Sequence, residues 1–365
     1  MAHLLRGYGD DRTPVAHSND IFKEHLRKFQ LSKLIGKKNS GMPVVVDDTL
    51  KGKAAGDTVV FHFIPQYKGP GLYGQNITIT GNEKSLDEFI DTIKIDQVAM
   101  AFAKRGKLTT KRLIWDFRSE AKSQLSNWFT DQNNVWSFDA LTGYLANGFD
   151  YIPEKDRATT PLVNGVGRCV RASSTNGYEL VAPENTSDQK LLETLKATDL
   201  INTQLLDNLT IVAKHGNDKY QLAPVRMNSN GKEMYFLLLS LEAARDLRQD
   251  SRFEKHALSL VQAGLDPAKD PFVSGALGVW GNVILLESEY IHKIVKADKS
   301  VAVSRNLLLG ANAMAMIWAQ TTDYREEWKD YQREIGIAAD EIRGQKKLVF
   351  DGVDQGVIQV PTAYK

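Results

Sequence analysis

Between residues 56 and 81 the chain reads GDTVVFHFIPQYKGPGLYGQNITITG, with Val59, Phe61 and Phe63 alternating on one face. That period of two marks a strand. Val60, His62 and Ile64 occupy the other face, so neither side is fully polar. The pattern predicts strands at 57–66 and 75–80, joined by a glycine- and proline-rich turn at 68–74. At about 3.3 Å per residue, a strand of about ten residues extends roughly 33 Å. A compact domain of this chain length has a radius of gyration of only about 21 Å. A lone two-stranded hairpin is marginal in water. This one needs a surface to lie on, either its own core or another subunit.

Helical spacing appears first behind Ser18-Asn19, an N-cap pair for a helix at 20–31 with Ile21, Phe22, His25, Leu26 and Phe29 on one face. An apolar strand follows at 43–46, and after the hairpin a short helix passes into a strand at 91–99. The strongest helical stripe runs from about 110 to 132 through Ile114, Phe117, Ala121, Leu125, Trp128 and Phe129. At 1.5 Å per residue it spans roughly 30 Å. A second helical stretch covers 138–146 and ends near Gly148. Residues 151–187 read as loops with short strands, and 188–208 as an amphipathic helix carrying Leu191, Leu195, Leu205 and Leu206. Strands at 220–225 and 234–239, helices at 241–250 and 253–263, and a glycine-punctuated strand at 279–287 complete the middle. The apolar run 305–320 suits a buried helix or close-packed segment, and 347–359 alternates like a strand. Helices and strands mixed without βαβ alternation predict an α+β fold, and no internal repeat is present.

Composition narrows the function more than the fold. A chain of 365 residues carries a length prior of two to three domains. With 42% hydrophobic and 25% charged residues it is ordinary globular protein. Lys+Arg 46 against Asp+Glu 45 lacks the basic excess of a dedicated nucleic-acid binder. Only the first forty residues lean basic, with Arg6, Arg12, Lys23, Arg27, Lys28, Lys33, Lys37 and Lys38 against Asp10, Asp11, Asp20 and Glu24, and a solvated face accounts for them. A single cysteine, Cys169, excludes an intrachain disulfide framework and fits a reducing compartment. The N-terminus has no apolar signal region, and no run approaches the ~20 residues of a membrane span. The expectation is a soluble product made in the cytoplasm.

None of the candidate motifs reaches a catalytic claim. Gly69-Pro-Gly71-Leu-Tyr-Gly74 matches G-x-G-x-x-G, yet it leads into a strand pattern instead of the helix whose amides would hold a phosphate. Its glycines read as turn residues. Gly275, Gly278 and Gly281 lack a following Lys-Ser/Thr and read as close backbone packing. The histidines His3, His17, His25, His62, His215, His256 and His292 have no metal-ligand spacing among themselves or with Cys169. Cys169 lies between Arg168 and Arg171 without a nucleophile signature and reads as a buried structural thiol. The acidic pairs Asp10-Asp11, Asp47-Asp48 and Glu326-Glu327 fix no acid–base geometry. The tryptophans are scattered, unlike a single-strand stacking platform. No cofactor or metal is implied.

The order of segments resembles a family, that of tailed-phage major capsid proteins of the phage N-four type, with the Hong Kong 97 (Johnson) shell fold. SNDIFKEHLRKFQLSKLIG at 18–36 is similar to its N-terminal arm, followed by GDTVVFHF at 56–63, GNEKSL at 81–86 and IDQ at 95–97. Gly106, Lys111-Arg112 and SEAKSQLSNWF at 119–129 resemble its long spine helix. LEAARDLRQD at 241–250 and SGALGVWGNVILLE at 274–287 resemble its axial domain, and LLLGANAMA at 307–315 and GQKKLVFDGVDQGVIQVPTAY at 344–364 complete the series. Val98 follows Ile95-Asp96-Gln97 where the family usually carries a basic pair within the next few residues, and the turn before Gly56 also differs.

The resemblance implies an N-terminal arm and start of a peripheral domain at 1–55, an extended hairpin loop at 56–81, a peripheral domain with spine helix at 82–189, an axial domain at 190–300, and a return to the peripheral domain with a C-terminal strand at 301–365. It implies a non-enzymatic chain that self-assembles as pentamers and hexamers into an icosahedral virion shell around double-stranded DNA, held without sequence specificity. Assembly in the host cytoplasm, with a separate scaffolding protein, a portal and a decoration protein, belongs to the same expectation, and no membrane does. The extended loop then lies across a neighbouring subunit, with Phe61, Phe63, Tyr67, Lys68, Leu72, Tyr73 and Gln75 as interface residues. The alternatives are an encapsulin-type nanocompartment shell and a cytosolic nucleotide-binding enzyme built on the 69–74 turn.

Overall fold

The strands Met314–Lys329 and Glu334–Lys347 form a long antiparallel hairpin, and the rest of the chain is organised around it. The computed structural model describes residues 12–38, 40–47, 50, 56–64, 72–73, 80, 83, 88–104, 116–215, 221–227, 232–255, 277–298, 300–331 and 333–365. The hairpin is the middle of a five-stranded sheet ordered Ile35–Lys37, Val44–Asp47, Met314–Lys329, Glu334–Lys347 and Asp96–Lys104. The first three strands run parallel and the others antiparallel. Residues 305–320, expected as a buried helix or close-packed segment, divide instead between the strands Ala302–Leu309 and Met314–Lys329. Ala302–Leu309 and the first five residues of Met314–Lys329 are buried on two faces, so their sequence shows no alternation and periodicity does not separate strand from helix.

One helix of 26 residues, Phe117–Thr142, replaces the two expected at 110–132 and 138–146. It is about 39 Å long at 1.5 Å per residue. The Asp116 side chain caps it, accepting from the amides of Arg118 and Ser119, and Gly143 ends it in the left-handed region at φ 100°. The polar stretch that separates the two predicted helices is buried and bonded. Asn134 accepts from the Gln30 amide at 3.0 Å, and Ser137 Oγ donates to Gln345 Oε1 at 3.0 Å. The N-terminal helix is Arg12–Lys28, so Ser18 lies within it and is not its cap. Its hydroxyl instead accepts from the Tyr324 amide at 2.9 Å. The predicted apolar face holds: Ile21, His25 and Phe29 are buried, with Phe22 and Leu26 partly so. This helix and the long one cover one face of the sheet through Ile21, Ala121, Leu125, Phe129, Tyr324, Ile337 and Ala339.

A second, seven-stranded sheet runs Gly278–Trp280, Val283–Glu287, Lys232–Leu239, Ala302–Leu309, Lys293–Val295, with Val225–Met227 beside Lys232–Leu239 and Val357–Ala363 beside Ala302–Leu309. Lys232–Leu239 shows why it separates two layers. Tyr235, Leu237 and Leu239 pack with Leu205, Leu209 and Leu247, and Phe236 and Leu238 face the core holding Phe138 and Leu141 of the long helix. The predicted helix 188–208 is broken into Asp188–Thr194 and Thr203–His215, because Asp199 turns the chain by accepting from the amides of Lys196 and Ser174. The predicted strand 279–287 is a hairpin around Gly281, whose φ is +57°. Helix Leu241–Arg248 is where the sequence places it, residues 251–255 are helical, and most of the helix expected at 253–263 lies outside the described residues. The strand pair expected at 220–225 and 234–239 is Val225–Met227 against Lys232–Leu239. The C-terminal stretch makes a small ribbon, Val349–Phe350 with Val353–Asp354, before the strand Val357–Ala363. The whole is α+β.

Candidate assembly surfaces

The strand Thr58–Phe63 exists, but its partner is Phe89–Lys94, in register from Thr58 opposite Lys94 to Phe63 opposite Phe89. The expected partner at 75–80 lies outside the described residues apart from Thr80. The two strands of this ribbon are joined through residues 65–87, most of which lie outside the described residues.

Its two faces have different fates. Val59, Phe61 and Ile93 are buried against Val45, Ala315, Ile317, Leu348 and Phe350 of the same chain. Phe63 is half-buried and stacks on Phe350 with centroids 5.0 Å apart. Phe61, expected on a neighbouring subunit, is turned by strand alternation into the chain's own sheet, and Phe63, expected there too, leans the same way but stays partly exposed. The other face exposes Val60, Ile64 and Ile90, with His62 Nδ1 at 2.6 Å from Glu88. Leu72 and Tyr73, in the segment that joins the two strands, are exposed, Tyr73 at 78%. Tyr67, Lys68 and Gln75 lie outside the described residues.

A second exposed apolar element escaped the sequence reading. At the turn of the long hairpin Tyr331 is 98% exposed and Trp328 is 47% exposed. Asp330 and Tyr331 have φ of +49° and +51°, an uncommon conformation for a bulky aromatic. Around them Arg325 pairs with Asp323, Lys329 with Glu327 and Arg333 with Asp330. An aromatic pair set among alternating charges was the available signal.

Inside the molecule, charge serves to join elements. Arg305 is fully buried; its Nε and Nη2 reach Asp188 at 3.0 and 2.6 Å, Nη1 donates to Gln359 at 2.7 Å and Nη2 to the Thr186 carbonyl at 2.7 Å. The Tyr144 hydroxyl donates to Asp188 at 2.8 Å, and burial is the main cause that raises its pKa. Lys347 donates to the Leu162 carbonyl at 2.6 Å and to Asp354 at 2.9 Å. A third group, His25, Glu341 and Arg343, lies under the N-terminal helix with the guanidinium over Trp136 and Trp318 at 4.8 and 5.6 Å. Arg305, Lys347, His25, Glu341 and Arg343 are all buried, so these groups join elements of the fold.

The remaining candidates for chemistry take their structural readings. Cys169 is fully buried, and desolvation outweighs the nearby Arg305 and Arg171, pushing its thiol up to about 12. No three His, Cys, Asp or Glu side chains gather as metal ligands among the described residues, and no described helix is long and apolar enough to cross a membrane. A cleft of about 560 Å³ is lined by Tyr144, Arg157, Asp188, His292 and Lys293. Its charges are engaged within the chain: Arg157 over Tyr144, Asp188 with Arg305, His292 with Asp139, Lys293 with Glu242. The 69–74 turn lies outside the described residues apart from Leu72 and Tyr73.

A long helix packed against both sheets, beside a strand ribbon with one buried and one exposed apolar face, fits the shell fold of the Hong Kong 97 type. The chain belongs to the phage capsid protein family, whose model matches residues 7–365. It is 26% identical over 340 residues to the major capsid protein of Pseudomonas phage KPP25, covering 86% of this chain and 85% of that one. Its fold is similar to the capsid of Ralstonia phage GP4, with TM-score 0.73, 22% identity, 92% of this chain and 90% of the other. The capsid of cyanophage Pam1 is similar at TM-score 0.74 and 19% identity, over 93% of both chains. The protein is a structural component of the virion and not an enzyme, and capsid assembly implies that it self-associates. The family match leaves no place for the nucleotide-binding enzyme.

Proposed function

We propose that this chain is the repeating subunit of an icosahedral phage head, closing as pentamers and hexamers through heterologous contacts made by its arm. The observation that carries this is the arm base itself: one face is used up on the chain's own sheet, and the other presents Val60, Ile64 and Ile90 to the outside. An apolar strand face left exposed is a liability in a monomer, and a neighbouring copy removes it. Leu72 and Tyr73 extend the same contact, and Tyr67, Lys68 and Gln75 lie beside them in sequence. The hairpin tip with Trp328 and Tyr331 is a second contact, and its alternating charges suit a copy of itself.

In this reading the long helix and the five-stranded sheet make the peripheral domain and the seven-stranded sheet supports the axial one, to which the strands Ala302–Leu309 and Val357–Ala363 also contribute. The enclosed double-stranded DNA is held without sequence readout, consistent with a formal net charge of +1. A separate scaffolding protein, a portal and a decoration protein complete the head. The family match favours a phage head over an encapsulin-type compartment. Electron microscopy of the expressed chain, alone and with scaffold, tests the proposal. Closed icosahedral shells are the expected result, and a strictly monomeric product under every assembly condition refutes it.

A further inference from the structure

The last residues of the strand Glu334–Lys347 are gripped from both sides. Successive side chains of a strand point to opposite faces, and here the two faces meet different elements. On one face, Glu341 accepts from the Thr322 hydroxyl at 2.6 Å and lies 3.7 Å from His25 of the N-terminal helix. Arg343 lies over Trp136 of the long helix, Gln345 bonds to Asn133 and Ser137 of the same helix, and Lys347 holds the Leu162 carbonyl. On the opposite face, Lys346 Nζ reaches Asp91 Oδ1 at 2.5 Å and the Thr92 carbonyl at 3.1 Å, both on the returning strand of the arm. Asp91 Oδ2 also accepts from the Val349 amide at 2.9 Å.

Gly344 sits between these contacts, and its lack of a side chain is used. A Cβ there would lie 2.3 Å from the Lys94 carbonyl oxygen, a distance that backbone cannot relieve without moving. Gly148, just past the long helix at φ +102°, meets the same oxygen at the same 2.3 Å. The Lys94 carbonyl, where the arm's returning strand Phe89–Lys94 hands over to the sheet strand Asp96–Lys104, is thus held between two glycines. Backbone bonds complete the grip: the Lys94 amide donates to Asn147, the Ile95 amide to Asp57 and the Gln345 amide to Gly148.

We propose that residues 341–347 are a coupling strand that fixes the direction of the arm relative to the long helix, with Gly344 and Lys346 as its positioning residues. The inference rests on the reading of the arm as an inter-subunit element. A subunit that closes around more than one symmetry axis has to present its arm at a set angle to its own body. The alternation of the coupling strand supplies that angle: a displacement of the helix is felt at Gln345 and passed on at Gly344 and Lys346.

Hydrogen exchange on the full-length chain, read alongside electron microscopy, tests this. Lys346→Met removes one charge-assisted bond, and the amides of Lys94, Ile95 and Val349 should exchange about tenfold faster while the subunit unfolds as cooperatively as wild type. Gln345→Leu, on the helix-facing side, should also speed exchange at Lys94 and Ile95, which a purely local role does not predict. Under conditions where wild type closes, Lys346→Met and Gly344→Ala should give open or irregular particles. A folded Lys346→Met with wild-type exchange and wild-type shells overturns the proposal, as does a Gln345→Leu with unchanged exchange at Lys94 and Ile95. Failure of the wild-type chain to form shells under any condition refutes the assembly reading instead, and the exchange data still decide the coupling.

Discussion

His25 has no hydrogen-bond partner on either ring nitrogen among the described residues, and its ring packs against Phe22, Phe129 and Trp318. Burial, helped by Arg343, lowers its pKa from 6.5 to about 3. The unfolded chain therefore takes up this proton near pH 6.5 and the folded chain only near pH 3. The stability that follows is full above pH 6.5 and is lost as pH falls, at about 1.4 kcal/mol per unit. Glu341 opposes it, since burial raises its carboxyl and the folded chain holds that proton to higher pH than the unfolded one. The difference between His25→Leu and wild type isolates the histidine: between pH 7 and pH 5 it should shift by about 2 kcal/mol in favour of the variant. A constant difference in urea titrations at the two pH values contradicts this. A second residue-scale test separates the faces of the arm. Phe61→Ala should destabilise the subunit by about 3–5 kcal/mol, whereas Ile64→Ser should change its stability by no more than about 0.5 kcal/mol yet lower shell yield. The alternation of Val59, Phe61 and Phe63 was legible in the sequence, but it fixes only that they share a face, and the receiving surface comes from residues 45 and 315–350, far away in the chain.

At the scale of elements, stability rests on caps and buried polar links as much as on apolar stripes. Asp116→Ala removes the side-chain cap of the long helix and should cost about 1 kcal/mol, read as a lower urea midpoint at constant slope. Arg305→Met leaves Asp188 and Gln359 without their buried partner and should cost about 3–5 kcal/mol, measured the same way. The same polar links explain which elements were hidden. In the strand Glu334–Lys347 the enclosed positions after Ala339 are, besides Gly344, Glu341, Arg343, Gln345 and Lys347, so the polar–apolar code runs backwards and nothing in the pattern marks a strand. Asn133, Asn134 and Ser137 likewise read as a gap in the long helix, although all three are buried and bonded across it. The helix Leu241–Arg248 was legible because its cap, Ser240, and its apolar face are both ordinary.

For the whole molecule, the α+β class and the order of segments along the chain were visible in the sequence, and the family match over residues 7–365 agrees with them. The pairing of distant strands was not, because it joins 44–47 to 314–317 and 302–309 to 357–363 through contacts no local period encodes. The central claim concerns the proposed arm, which starts from a ribbon held on one side by Val59, Phe61 and Ile93. Shortening the arm by replacing residues 66–76 with a brief Gly-Ser link leaves that base untouched, and electron microscopy beside a thermal melt measures the outcome. The account predicts a subunit that melts as wild type does and forms no closed shells; closed shells of wild-type size, or a subunit that no longer folds, would contradict it.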